Sequence, residues 1–201
     1  MGEPAGQPAA GALVEPFLMP VEDVFHLRQG RAVMVTGLVE RGRVRKGDTV
    51  ELVGPGGGAT ARVEDVEQSQ VRVAEAGAGA GMNVGLLLGA LPADAYRRGQ
   101  VLVTPGSMSA RAGFTADISV LSEEQGGADV VSGDRLCFYV RTAAVWGTVT
   151  LPEGSAMVRP LHGAEVTVTL DAPVALETGG PFTFRHHGRA SGTGSVTRLL
   201  R

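Results

Sequence analysis

The chain has 201 residues, of which 43% are hydrophobic and 19% charged, with a net charge of −3 and a sequence pI near 5.8. That is enough chain for one large core or two small ones, and the acidic balance excludes the overall positive field with which a free-standing nucleic-acid clamp holds a phosphate backbone. The single cysteine, Cys137, excludes an internal disulfide and a cysteine-based zinc site, and among the 18 basic residues only Lys46 is a lysine.

Met1 to Glu15 is built of Gly, Ala and Pro, with no basic start and no apolar run, so it reads as a mobile leader and not as a signal peptide. No stretch approaches the roughly 18 apolar residues of a membrane span, which makes a cytoplasmic protein without a membrane partner the expectation. Aromatics are scarce at 4% against 30 glycines, a balance that favours short strands joined by tight turns. From residue 33 the chain is strand-like: Val33 to Thr36, Thr49 to Val53 and Thr60 to Val63 carry β-branched residues in short runs. Glu40 to Asp48 reads as a solvated connection, and Gly54 to Gly58 and Ala76 to Gly81 read as loops. Only Ala93 to Arg98 reads as a helical turn, with Pro92 before it and Gly99 after it.

A break near Thr104-Pro105-Gly106-Ser107 precedes a second set of strands, at Phe114 to Leu121, Leu136 to Arg141, Val145 to Thr150, Val166 to Leu170, Phe182 to Arg185 and Gly194 to Leu200. Val166 to Leu170 alternates cleanly, so one face should be buried and the other wet. Turn signals recur every 8–12 residues or so, the spacing of barrels and sandwiches and not of βαβ units. The expected fold is all-β, two small β-barrels in tandem, with a leader over 1–15, a first domain over 16–106 and a second over 107–201.

Catalytic signals are missing. A P-loop needs a glycine-rich turn ending in Gly-Lys-Ser/Thr, but Lys46 stands in Arg45-Lys46-Gly47-Asp48 and the glycine-rich loops carry no lysine. GTP binding by this chain is therefore not expected. His186-His187 is an adjacent pair, and adjacent strand residues point to opposite faces, poor geometry for one metal. His26 and His162 are isolated, and Glu123-Glu124 reads as a solvated turn. Cys137, inside Leu136 to Val140, reads as a packing residue. No cofactor, metal site or enzyme activity is expected.

Phe17-Leu18-Met19-Pro20-Val21-Glu22-Asp23-Val24-Phe25 resembles the start of domain 2 of bacterial elongation factor Tu. Behind it come Gly30-Arg31, Val35-Thr36-Gly37, Val39 to Gly42, Gly47-Asp48, Asn83 to Leu88, Arg98 to Leu102 and Pro105-Gly106-Ser107. The second half resembles domain 3 of that factor, through Glu124 to Gly127, Phe138 to Thr142, Leu151 to Gly154, Met157-Val158, Pro173 to Glu177, Phe182, Gly188-Arg189 and Gly194. The resemblance runs from about residue 17 to 200 and is in family order, and the family's GTPase domain has no counterpart in it.

The resemblance implies two barrels and a pocket on domain 2 for the aminoacylated 3′ end of transfer RNA, in the cleft which that domain shares with the GTPase domain. By position the pocket residues are Glu22, Asp23, Phe25, Gly30, Arg31, Thr36, Glu67 and Asn83. Phe25 offers a π face or apolar wall, Asn83 can bond the ester or amine, and Glu67 can face the terminal adenine. The chain departs from the family at Ala32-Val33, at Met82 and at Leu38. An arginine expected shortly after Glu67 is replaced by Gln70, with Arg72 as a substitute. In domain 3 the family's His-Thr-Pro-Phe-Phe segment becomes Ala128-Asp129-Val130-Val131, and Arg185 to Arg189 differs as well. Ala128, Asp129, Val130 and Val131, with Leu38, form a possible partner interface. The partners implied are aminoacyl-tRNA, held weakly, or a translational GTPase or other protein. A further alternative is a protein that binds antibiotics directed at the factor.

Overall fold

A computed structural model describes residues 15–27, 32–79, 81–89 and 91–201. The first ten strands are β1 (Leu18–Pro20), β2 (Asp23–Leu27), β3 (Ala32–Gly37), β4 (Arg43–Arg45), β5 (Thr49–Val53), β6 (Thr60–Gln68), β7 (Val71–Arg72), β8 (Glu75–Gly77), β9 (Val84–Gly89) and β10 (Val101–Val103). The main sheet runs β1-β10-β5-β6-β9-β3-β2, with β7 folded back on β6. Its end strands are consecutive in the chain. Val21 N–H donates to Gln100 O at 2.9 Å and Glu22 N–H donates to Thr36 O at 2.9 Å, so the backbone steps from one sheet edge to the other and curls the sheet into a barrel wall. Gly37 stands against this corner, where a Cβ would lie 2.0 Å from Pro20 O.

Alternation explains which side chains turn inward. In β3, Val33 and Val35 are buried while Met34 and Thr36 are half-buried. With Met19, Leu52, Val63, Leu86 and Leu88 they form the first core. Two expectations change here. The connection after Glu40 contains β4, and the glycine-rich stretch at 76–81 begins inside β8. These strands pair as a separate ribbon, with Val44 opposite Ala76. Each contributes one buried apolar residue, too few to generate a period. The expected helical turn is shorter, a 3₁₀ turn at Ala93–Ala95.

The second unit is a closed antiparallel barrel in the order β11-β14-β13-β12-β15-β16, with β11 (Ser109–Val120), β12 (Arg135–Val140), β13 (Ala143–Thr150), β14 (Gly163–Leu176), β15 (Pro181–His186) and β16 (Arg189–Leu199). As alternation requires, Val166, Val168 and Leu170 point inward. Phe138 sits among three other rings, edge-on to Phe114 at 6.2 Å and Phe182 at 5.7 Å and tilted against Phe184 at 6.3 Å. Such offset arrangements suit the ring quadrupoles. A third, smaller apolar cluster joins Leu18, Val53, Val101 and Val103 of the first unit to Ala175, Met108 and Ala110 of the second. Among the described residues, no helix is long and apolar enough to cross a membrane.

Candidate functional site

Cross-strand register brings distant residues of the first barrel into rows. Asp23 pairs with Thr36, Thr36 with Gly85, Gly85 with Glu67 and Glu67 with Arg72, which makes one row across β2, β3, β9, β6 and β7. Directly opposed residues share a face. The flanking row of Val35, Leu86 and Val66 is buried, so the Asp23 row lies on the outer face. One row further on, Phe25 pairs with Met34 and Met34 with Leu87, again facing outward. Phe25 leaves 51% of its surface exposed, a large value for an aromatic side chain in a strand.

Gly85 shapes the middle of this face. A Cβ there would lie 2.9 Å from Met34 Sδ, so the missing side chain leaves room that the Met34 thioether overhangs. At the rim, Asn83 Nδ2 donates to Glu22 Oε2 at 2.9 Å, and Arg98 Nη1 donates to the Glu22 carbonyl at 3.1 Å. Among the described residues the Asn83 carbonyl oxygen takes no hydrogen bond, which leaves an acceptor at the rim. The face carries the carboxylates of Glu22, Asp23 and Glu67, while Asp65 at its edge is buried and paired with Arg72 and Lys46.

Of the residues predicted from the sequence, Glu22, Asp23, Phe25, Thr36, Glu67 and Asn83 come together here. Gly30 and Arg31 lie outside the described residues. Ser69 and Gln70 form the β6–β7 turn at φ 51° and 64°, while Arg72 stands opposite Glu67. The Arg72 guanidinium reaches past that partner to Asp65, with Nε 3.1 Å from Oδ2. Met34, Gly85 and Asp65 escaped the sequence reading, although Gly85 lies inside the Asn83 to Leu88 motif.

The second barrel corrects three expectations. Val130 is fully buried and bridges Val158 through paired backbone hydrogen bonds of 3.0 and 2.9 Å, so its side chain is core and not partner surface. Its neighbours Asp129 and Val131 are exposed, Ala128 is half-buried, and Leu38 on the first barrel is 42% exposed. Asp129 lines an open depression of about 810 Å³ with Glu123, Glu124, Met157, Leu161 and His162.

The histidine rings do not diverge. His187 leaves the strand at φ 49°, and its ring stacks on His186 at 4.0 Å. Burial, then the His187 charge, hold the buried His186 imidazole below its ordinary range against the pull of Asp134. Among the described residues no group of His, Cys, Asp and Glu has metal-binding geometry. Cys137 also departs from the packing role. It faces outward on β12 between Trp146 and Arg185, because the inward positions of that strand belong to Leu136 and Phe138.

Comparison with protein-family models agrees with this architecture. Residues 32–103 match the model described as elongation factor Tu domain 2, and residues 107–200 match the model described as elongation factor Tu C-terminal domain. Together the matches take in the strands that build the outer face of the first barrel from β3 onward and the whole of the closed second barrel. The chain belongs to the elongation factor Tu family through its domain 2 and domain 3 barrels.

Proposed function

We propose that this chain is a non-catalytic binding module of translation elongation, and that the outer face of β2, β3, β9 and β6 takes the aminoacylated 3′ end of a transfer RNA. The observation that carries this reading is the row Asp23, Thr36, Gly85 and Glu67, flanked by exposed Phe25 and closed at the rim by the Glu22–Asn83 pair. An aminoacyl ester offers an ammonium group, an ester carbonyl, a ribose hydroxyl and a terminal adenine. The carboxylates suit the ammonium through charge-assisted hydrogen bonds, Phe25 suits the base or an apolar side chain, and the Thr36 hydroxyl and Asn83 amide suit the ester and ribose.

The same carboxylates disfavour a phosphate backbone, so this face reads the end of the RNA and not its duplex. A deacylated transfer RNA lacks the ammonium. Preference for the charged form therefore follows from the electrostatics. Both matched domains are non-catalytic in the family, which supports a binding role without turnover. The test is binding of the purified chain to charged and deacylated transfer RNA at low and moderate salt, with Phe25→Ala and Asn83→Ala beside it. Binding that prefers the charged form and falls in both variants supports the reading; no binding at low salt removes it.

A second reading is a protein-docking module, a translational GTPase being one partner. The observation in its favour is the depression beside Asp129, where Leu161 is 77% exposed and Met157 42% exposed. Large exposed aliphatic side chains beside a concavity are features of partner surfaces. Leu161→Glu should weaken GTPase binding and leave transfer RNA binding unchanged if that reading holds.

A further inference from the structure

The end of β15 departs from the pattern that builds the second barrel. Phe182 and Phe184 point into the core, and alternation puts the next inward position at His186, which is 6% exposed. A titratable imidazole therefore stands where an apolar side chain would close the row. Its Nδ1 is buried and without a hydrogen-bond partner among the described residues, while Nε2 lies 3.7 Å from Asp134 Oδ2. The same Asp134 oxygen accepts the Val131 N–H at 2.8 Å, so one carboxylate faces the ring and also fixes the turn that follows Asp129.

The neutral ring fits this setting and the charged ring does not. Neutral imidazole can carry its proton on Nε2, toward Asp134, and leave Nδ1 as an acceptor. Imidazolium carries a proton on both nitrogens, and Nδ1–H would then be a charged donor buried with nothing to receive it. His187, stacked at 4.0 Å with 21° between the planes, adds like-charge repulsion when both rings are protonated. Of the other charges on the surrounding elements, Arg185 turns outward over the Tyr139 ring and Arg189 runs along Gly126. Glu123 and Glu124 are exposed on the 3₁₀ turn Glu123–Gln125, which leaves Asp134 as the carboxylate that draws a proton toward the ring.

The backbone beside the ring is held by the same stack. β15 and β16 are joined by the two-residue turn His187-Gly188, closed by the His186–Arg189 pair, with φ 49° and 77° at its central positions. Turns with positive φ at both positions favour Asn-Gly. His187 holds that conformation against its preference, and the stack on His186 offsets the strain. Behind the turn the ladder shifts register between Phe184 and Arg185, and Ser191 Oγ accepts the His186 N–H at 3.2 Å. The tip of this hairpin thus depends on the imidazole stack and a side-chain hydroxyl, not on an unbroken ladder.

We propose that His186 and His187 form a proton-operated switch: proton uptake swings the His186 ring out of the core, breaks the stack, draws Asp134 from the Val131 N–H and so releases the β15–β16 turn and the Val131–Asp134 turn together. Acid thereby remodels the wall of the depression at Asp129. The switch is read from the second barrel alone and goes beyond either binding reading.

The test follows the full chain, labelled on its histidine rings, by NMR from about pH 8 to about pH 5, with amide hydrogen exchange measured alongside. The His186 signal is assigned by its loss in His186→Phe. Its midpoint should lie below the ordinary histidine range, and exchange of the Val131 and His186 amides should rise roughly tenfold or more across that midpoint, beyond the change in intrinsic rate. The amide of Val168, buried in the middle of β14, should keep its protection. His187→Asn suits the turn and removes a charge, so it should raise the His186 midpoint, whereas Asp134→Asn should lower it. In His186→Phe the protection of the Val131 amide should no longer depend on pH. Local loss of protection with both midpoint shifts in these directions upholds the proposal. An unchanged midpoint in either variant, turn amides that stay protected while His186 titrates, pH-dependent opening that survives in His186→Phe, or loss of protection at Val168 in step with the turn overturns it.

Discussion

Truncating Phe25 to alanine separates a binding role from a packing role. About half of this side chain is already in water, at 51% exposure. Full burial of a phenylalanine is worth roughly 1.5–3 kcal/mol, so the folded chain should lose about 1 kcal/mol or less. Stacking of one base on an aromatic ring is worth about 1–3 kcal/mol, so affinity for charged transfer RNA should fall roughly 5- to 150-fold. Urea unfolding followed by circular dichroism gives the first quantity, and titration of labelled charged transfer RNA at low salt gives the second. Affinity within about twofold of the parent would refute the placement of the acceptor end over Phe25. A stability loss near the 3–5 kcal/mol typical of a core aromatic would refute the exposed position itself.

Other predictions test the scaffold and its charges. Phe138→Ala removes a fully buried ring packed against three others and should cost about 3–5 kcal/mol, seen as early loss of the second barrel in urea. Gly37→Ala drives a Cβ to 2.0 Å from the Pro20 carbonyl, which is backbone, whereas Gly85→Ala meets only the movable Met34 thioether at 2.9 Å. The first should therefore cost more than about 2 kcal/mol and the second less than about 1 kcal/mol, compared by urea midpoints. The His186 imidazole is held low by burial and by His187, so the folded chain binds fewer protons there. That contribution is present above the unfolded value of about 6.5 and is lost as pH falls through the lowered one, so urea midpoints should decline below about pH 6.5 and decline less in His186→Gln. Burial pushes the Glu177 carboxyl up, but the hydrogen bond from Arg41 and the Arg141 and Arg41 charges outweigh it and leave it below its ordinary range. Its contribution is present above the unfolded value of about 4.3 and is lost as pH falls through the lowered one. The chain should therefore weaken again below about pH 4.3, and Glu177→Gln should flatten that step.

Residue order alone was enough for the strongly patterned strands and for the family. Val166 to Leu170 alternates because one face is wet and the other dry, and that period can be read without knowing any neighbour. The long motif from Phe17 to Phe25 likewise stands in contiguous chain. What lay beyond reach was which strand lies beside which, and in what register. Asp23, Thr36, Glu67 and Arg72 are scattered along the first domain, yet one hydrogen-bonded ladder sets them in a row.

A shift of that ladder by one residue would turn every one of these side chains into the core. Val130 stands in the sequence among the possible partner-interface positions that the resemblance implies, and only its pairing with Val158 buries it. His186 and His187 should diverge by strand geometry, and only the turn at φ 49° stacks them. Arg141 lies in a recognisable motif, but that it reaches Glu40 and Glu177 depends on how the two barrels meet. Local chain chemistry determines period and turn. Register, closure and the meeting of two barrels are settled by contacts between residues far apart in sequence, and the outer face and the ion pairs of Arg141 both belong to that second level.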